Sequence, residues 1–155
     1  MQQPQPMSTY TQIHIQAVFA VKQRERLISE DWRENLYRYI TGIVQNHGHD
    51  MLAINGTDDH VHMLFGLNPA QSLSDIIRDV KRDSTKWVNE NKFTQGALGW
   101  QSGYGAFSYS KSQVDKAVAY IKNQKSRHSE NSFMDEYKKI LDDLGIAYKD
   151  EFLFT

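Results

Sequence analysis

The sequence predicts an α+β fold: an antiparallel sheet with helices on one face and extra helices at the C-terminal end. Three observations carry this. Residues 9–21 alternate apolar and polar, and residues 32–44 and 73–88 repeat apolar side chains at helical spacing. Gly56 lies in a turn between two short apolar runs, as in a hairpin.

In the first strand, Thr11, Ile13, Ile15, Ala17, Phe19 and Val21 share one face, and Tyr10, Gln12, His14, Gln16 and Val18 the other. A basic loop, Lys22 to Arg26, follows. Ser29 then caps a helix with Glu30 and Asp31 in its first turn, where the helix dipole favours negative charge. Its stripe of Trp32, Leu36, Tyr39, Ile40, Ile43 and Val44 is core, and Gly48 ends it. A second strand from His49 to Asn55 turns at Gly56 into a third, which carries His60 to Phe65. Ser72 with Asp75 opens a second helix running to about Asn91, with Leu73, Ile76, Ile77, Val80, Trp87 and Val88 inward. The glycine- and aromatic-rich stretch 93–109 holds one short strand near Ala106–Tyr109. Ser112 with Asp115 is expected to cap a third helix, with Val114, Ala117, Val118 and Ile121 inward. Ser132 with Asp135 opens a last helix that stops at Gly145, and the tail Ile146–Phe154 is apolar enough to dock.

The resulting order, β-α-β-β-α-β-α-α, is the ferredoxin-like, split βαβ arrangement plus extra C-terminal helices, the first of which carries Tyr120. Two helices would cover one face of the sheet and leave the other for a ligand. Residues 1–8 read as a disordered N-terminal extension and 9–155 as a single domain.

The 155-residue chain has no cysteine, which excludes a disulfide scaffold, a thiolate zinc finger and a Cys nucleophile, and fits a reducing cytoplasm. No apolar run is long enough to span a membrane, and the start has neither the basic nor the apolar region of a signal peptide. The net charge of −1 hides an asymmetry: residues 1–129 hold 15 Lys and Arg against 12 Asp and Glu, and residues 130–155 hold 3 against 7. A mildly basic body of this kind can bind a phosphate chain if its charge is focused on one face.

The chemistry centres on Asp58-Asp59-His60-Val61-His62. On a strand, His60 and His62 point to the same side, and Val61, Met63 and Phe65 point into the core. Two imidazoles one pleat apart make most of a metal site, although a bare His-x-His more often pairs one satisfied core histidine with one exposed. Completion by oxygen would favour Mg²⁺ or Mn²⁺ over zinc. Tyr120 and Gln124 lie at i and i+4 on a basic helix, adjacent on one face. If Gln124 joined the two histidines on a cation, the ion would polarise a phosphodiester and Tyr120 would attack phosphorus in line. A tyrosine hydroxyl, with a pKa of about 10, needs such activation. Tyr37, Tyr39 and Tyr137 sit in amphipathic helices as core, and Tyr104 and Tyr109 could stack on bases.

Here the sequence resembles a family. His60-Val61-His62 within Asp-His-Val-His-Met-Leu, Trp100-Gln-Ser-Gly-Tyr-Gly-Ala-Phe-Ser108 and Tyr120-Ile-Lys-Asn-Gln124 are similar to motifs of the single-tyrosine HUH transposases of the IS200/IS605 type. The resemblance runs from about Thr9 to Phe154. It implies that His60, His62 and Gln124 bind a divalent metal and that Tyr120 is the nucleophile. It implies cleavage of single-stranded DNA at hairpin-marked ends through a 5′-phosphotyrosine link. It also implies a homodimer in which the tyrosine helix can complete the partner's site. The related REP-associated tyrosine transposases share these motifs. Lys81, Arg82 and Lys86 on the second helix, Trp100 and Tyr104 in the aromatic stretch, and Lys122 and Arg127 near the tyrosine are the expected DNA contacts.

Two rival classes remain open on the residues alone. A non-catalytic nucleic-acid-binding module of the same fold would bind in a salt-dependent way without a covalent adduct. A zinc-dependent hydrolase would need an acidic base beside the metal, for which Asp58 and Asp59 are the nearby choices.

Overall fold

The structure, a computed structural model, describes residues 8–123, 133–150 and 153. Its elements are β1 (His14–Ala20), α1 (Glu30–Asn46), β2 (Asp50–Gly56), β3 (His60–Gly66), α2 (Leu73–Glu90), β4 (Gly105–Tyr109), α3 (Lys111–Lys122) and α4 (Phe133–Asp143). The strands form one antiparallel sheet in the order β2-β3-β1-β4. Each β-α-β crossover therefore skips one strand, as the ferredoxin-like arrangement requires.

The register sets the two faces. β1 pairs with β3 through Phe19↔Val61 and Ala17↔Met63, and these residues line the main core with Phe65. α1 and α2 close this core with Trp32, Leu36, Ile40, Ile76, Ile77 and Val80. Tyr37, not Tyr39, is the buried tyrosine of α1; Tyr39 is partly exposed and stacks on Trp87 at 4.8 Å. Two positions two residues apart on a helix point nearly opposite ways, so only one of the two can face the core.

The opposite face is less open than the sequence suggests. α3 covers its β2–β3 half through Ala117 and Ile121 on Ala53 and Leu64. α4 covers the β1–β4 half through Tyr137 and Leu141 on Val18 and Phe107. Gly105 is needed there, because a Cβ at that position would run into the Tyr137 ring. The strip between the two helices holds His60 and His62.

Several boundaries differ from expectation. β1 begins at His14 rather than residue 9, since its neighbours end opposite it: His14 pairs with both Gly66 and Tyr109. β4 runs almost directly into α3, so Ser110, not Ser112, takes the N-cap position, and the Gln113 side chain accepts from its N–H at 3.0 Å. Ser29 and Ser72 cap α1 and α2 as expected. The expected extension before Ser8 and the Ser132 cap lie outside the described residues. No helix among the described residues is long and apolar enough to cross a membrane.

Candidate active site

β3 delivers the two histidines. Strand alternation puts both on the α3/α4 side, fully buried, with ring centroids 5.1 Å apart. Behind each ring stands an oxygen. His60 Nδ1 lies 2.7 Å from Asp59 Oδ1, and His62 Nδ1 lies 3.1 Å from Gln16 Oε1. A carboxylate and an amide oxygen only accept, so each imidazole donates from Nδ1 and its lone pair sits on Nε2. Fixing the tautomer through the second ring nitrogen is how metal-binding histidines are normally oriented. Both Nε2 atoms are buried. The donor pair therefore fits a divalent cation.

The orienting oxygens are themselves held. Thr57 Oγ1 donates to Asp59 at 3.1 Å, and Arg24 reaches the other carboxylate oxygen at 3.5 Å. Burial pushes the Asp59 carboxyl up, but His60, Arg24 and Thr57 outweigh it and hold it below the usual carboxylate range. Asp59 is thus occupied on the far side of His60 from Nε2, which removes it as the base of a zinc hydrolase. Gln16 Nε2 donates in turn to the Tyr109 hydroxyl at 2.6 Å. Burial raises the Tyr109 pKa, with the Gln16 bond opposing. Tyr109 is a strut under His62 rather than a free stacking ring.

α3 delivers Tyr120. Its ring lies edge-on to His62, with centroids 6.0 Å apart, and its hydroxyl donates to Glu136 Oε2 of α4 at 3.1 Å. Tyr120 of one chain therefore stands beside His62 of the same chain, with His60 next to it. Gln124 and Arg127 lie outside the described residues. Among the described residues, no three His, Asp or Glu side chains are grouped so that they could hold a metal ion.

The expected DNA contacts are scattered. Lys122 is exposed at the end of α3, two residues beyond the tyrosine. Lys81, Arg82 and Lys86 ride on α2, across the sheet from the histidines. Lys81 is committed to structure: it donates to the carbonyls of Gln101 and Gly103 and lies 5.9 Å from the Tyr104 ring centroid, and burial lowers its pKa. Arg82 pairs with Asp79 and Asp83. The Trp100 indole packs edge-on against Phe19 and donates to Ser84 at 3.0 Å, so it belongs to the fold. Tyr104 remains partly exposed.

Sequence reasoning assigned no role to Gln16, Tyr109 or Glu136 in this site. Only Gln16 gave a signal, as a polar residue on the wet face of the first strand.

A family model described as "Transposase IS200 like" matches residues 9–124, most of the chain. No curated protein matches it in sequence. Among solved structures, a candidate transposase from Deinococcus radiodurans R1 superposes with a TM-score of 0.63 at 20% identity, covering 79% of this chain and 98% of its own. A REP-associated tyrosine transposase bound to a REP hairpin superposes with a TM-score of 0.60 at 14% identity, covering 81% of this chain and 74% of its own. At such identities the two structures show likeness of fold.

Proposed function

This chain belongs to the IS200-like transposase family, and from that premise we propose that it cuts and rejoins single-stranded DNA at hairpin-marked ends, with Tyr120 as nucleophile. The observation that carries the reading is the placement of the Tyr120 ring 6.0 Å from His62, on the face where His60 and His62 converge. A tyrosine drawn only into the core would not need to stand beside two oriented imidazoles.

In this reading His60 and His62 hold a divalent cation, Mg²⁺ or Mn²⁺, through Nε2, with Gln124 as third ligand. The cation supplies Lewis acidity to the scissile phosphate. Asp59 and Gln16 hold the Nδ1 side of each imidazole and so aim its Nε2. The Tyr120 oxygen attacks phosphorus, the 3′-oxygen leaves in line, and the 5′-phosphate remains on the tyrosine. The link conserves the energy of the broken bond, so a 3′-hydroxyl can later reverse the step. Lys122, exposed at the end of the tyrosine helix, is the phosphate contact we assign to the strand being cut. The exposed Arg82 and Lys86 could receive phosphates only on the other side of the molecule, and Tyr104 could stack on a base beyond the Lys81-pinned loop. The likeness in fold to a hairpin-bound tyrosine transposase supports a hairpin as the recognised element. We read the working form as a homodimer, and the 6.0 Å approach of Tyr120 to His62 of its own chain supports a tyrosine that serves its own histidines.

The test is incubation with labelled hairpin DNA carrying single-stranded flanks, with Mn²⁺ or Mg²⁺, on a denaturing gel beside Tyr120→Phe. A metal-dependent covalent adduct that disappears in the variant is expected. Salt-dependent binding with no adduct would instead make the chain a binding module.

A further inference from the structure

Glu136 sits where a nucleophilic tyrosine would need a proton acceptor. It is half-buried on α4, and its Oε2 accepts from the Tyr120 hydroxyl at 3.1 Å. α4 is fixed at that point by the neighbouring side chain: Tyr137, 6% exposed, is seated on Gly105, Val18 and Phe107. The carboxylate is therefore delivered by a packed helix to an oxygen on α3, across 16 residues of sequence. It is not grouped with the two imidazoles as a third metal-binding side chain.

We propose that Glu136 is the general base that activates Tyr120, an inference that rests on Tyr120 being the nucleophile. In cleavage, the Tyr120 O–H bond breaks and the proton passes to Glu136 Oε2 as the tyrosine oxygen forms its bond to phosphorus. The bond from phosphorus to the 3′-oxygen breaks, and that oxygen takes its electron pair and then a proton from water. In rejoining, the 3′-hydroxyl gives up its proton to water as its oxygen attacks the phosphotyrosine, and Glu136 returns its own proton to the departing tyrosine oxygen. A carboxylate is a weak base for a phenol, so the transfer is concerted with attack rather than completed before it, the regime in which a positioned base is effective. The placement divides the labour: the histidines serve the phosphate, and α4 handles the nucleophile's proton.

The test compares wild type, Glu136→Gln and Glu136→Asp under single-turnover conditions on hairpin DNA, alongside Mn²⁺ binding by electron paramagnetic resonance. Glu136→Gln is expected to lower the rates of adduct formation and rejoining by about 10²-fold or more, with hairpin and Mn²⁺ affinity unchanged. Glu136→Asp should recover part of the rate. A substrate with sulfur in place of the bridging 3′-oxygen leaves without needing a proton. The Glu136→Gln defect should persist on it, because the missing step is at the nucleophile.

Wild-type rates in Glu136→Gln would overturn the proposal, and so would a defect that vanishes on the sulfur substrate. Loss of Mn²⁺ binding would make Glu136 a ligand instead, and loss of hairpin binding would make it a structural contact; either overturns the proposal. A wild-type protein that forms no tyrosine adduct would sink the parent reading, and this inference with it.

Discussion

Asp59 and Gln16 stand one bond behind His60 and His62, and the site depends on them in a way that strand parity does not reveal. An imidazole that loses its Nδ1 acceptor can rotate or change tautomer, and its Nε2 lone pair is no longer aimed. Asp59→Asn is therefore expected to weaken Mn²⁺ binding about 10–100-fold, measured by paramagnetic resonance titration, with little change in far-UV circular dichroism. An unchanged affinity would mean that Asp59 serves only its Arg24 and Thr57 contacts. The site also turns on Gly105. Gly105→Ala puts a methyl group into the Tyr137 ring and must displace α4 or the strand. The expected cost is about 1–3 kcal/mol, the range for overpacking, read from urea unfolding, together with slower adduct formation because Glu136 moves with α4. A variant as stable and active as wild type would show that α4 is not pinned there. The histidine pair was legible in the sequence because strand parity alone fixes its common direction. The Tyr120–Glu136 contact was not, because it joins two helices whose packing depends on where the preceding strand leaves each of them.

Elements are tied together at one end of the sheet by a network around Asp79. Its Oδ1 takes Arg78 at 3.1 Å and Arg82 at 3.3 Å, and its Oδ2 takes Gln71 at 3.1 Å and His47 at 3.6 Å. Gln71 continues to His49 Nε2 at 2.7 Å, and His49 Nδ1 accepts from the Asn68 N–H at 2.9 Å. One carboxylate thus joins α2 to the end of α1 and, through Gln71 and His49, to the start of β2. Burial pushes the Asp79 carboxyl up, but Arg78, Arg82 and His47 outweigh it and hold it below the ordinary value. A group whose pKa is depressed on folding stabilises the fold above its unfolded pKa, about 3.9, and ceases to do so as pH falls through the folded value. Asp79→Asn should therefore lower the free energy of urea unfolding at neutral pH, by about 1–3 kcal/mol for a disrupted buried network. The gap to wild type should close in acid. A gap that widens in acid would contradict the assignment. In the sequence Asp79 is interleaved with the cations of α2 just as Asp75 and Asp83 are, and gives no sign of being 4% exposed. By contrast, the Ser29 and Ser72 caps and the α1 and α2 stripes were readable, because caps and helical periods are set within one or two turns of chain.

Across the whole molecule the sheet separates two surfaces with different work. α1 and α2 bury one face as core; α3 and α4 frame the other, where Tyr120 and the histidines meet. The sequence order predicted the sheet and its first covering layer, but not that the appended helices would close over the second face. Nothing local encodes that: Ala117 and Ile121 look alike whether they meet this sheet or another partner. The division has a consequence for DNA. Lys122 projects from the tyrosine helix, whereas Lys86 projects from the helix covering the opposite face. Phosphate contacts add sequence-independent affinity, and each one lost lowers the slope of log K against log salt by about 0.7–0.9. A short single strand that reaches only the Tyr120 face should lose affinity and salt slope in Lys122→Gln and be indifferent to Lys86→Gln. A hairpin long enough to wrap the molecule should register both substitutions. Fluorescence anisotropy over a salt series with the two DNA lengths measures this directly. Equal effects of Lys86→Gln on both DNAs would mean that the strand crosses the α2 face before it reaches the tyrosine, and the path of the DNA would have to be redrawn from that side.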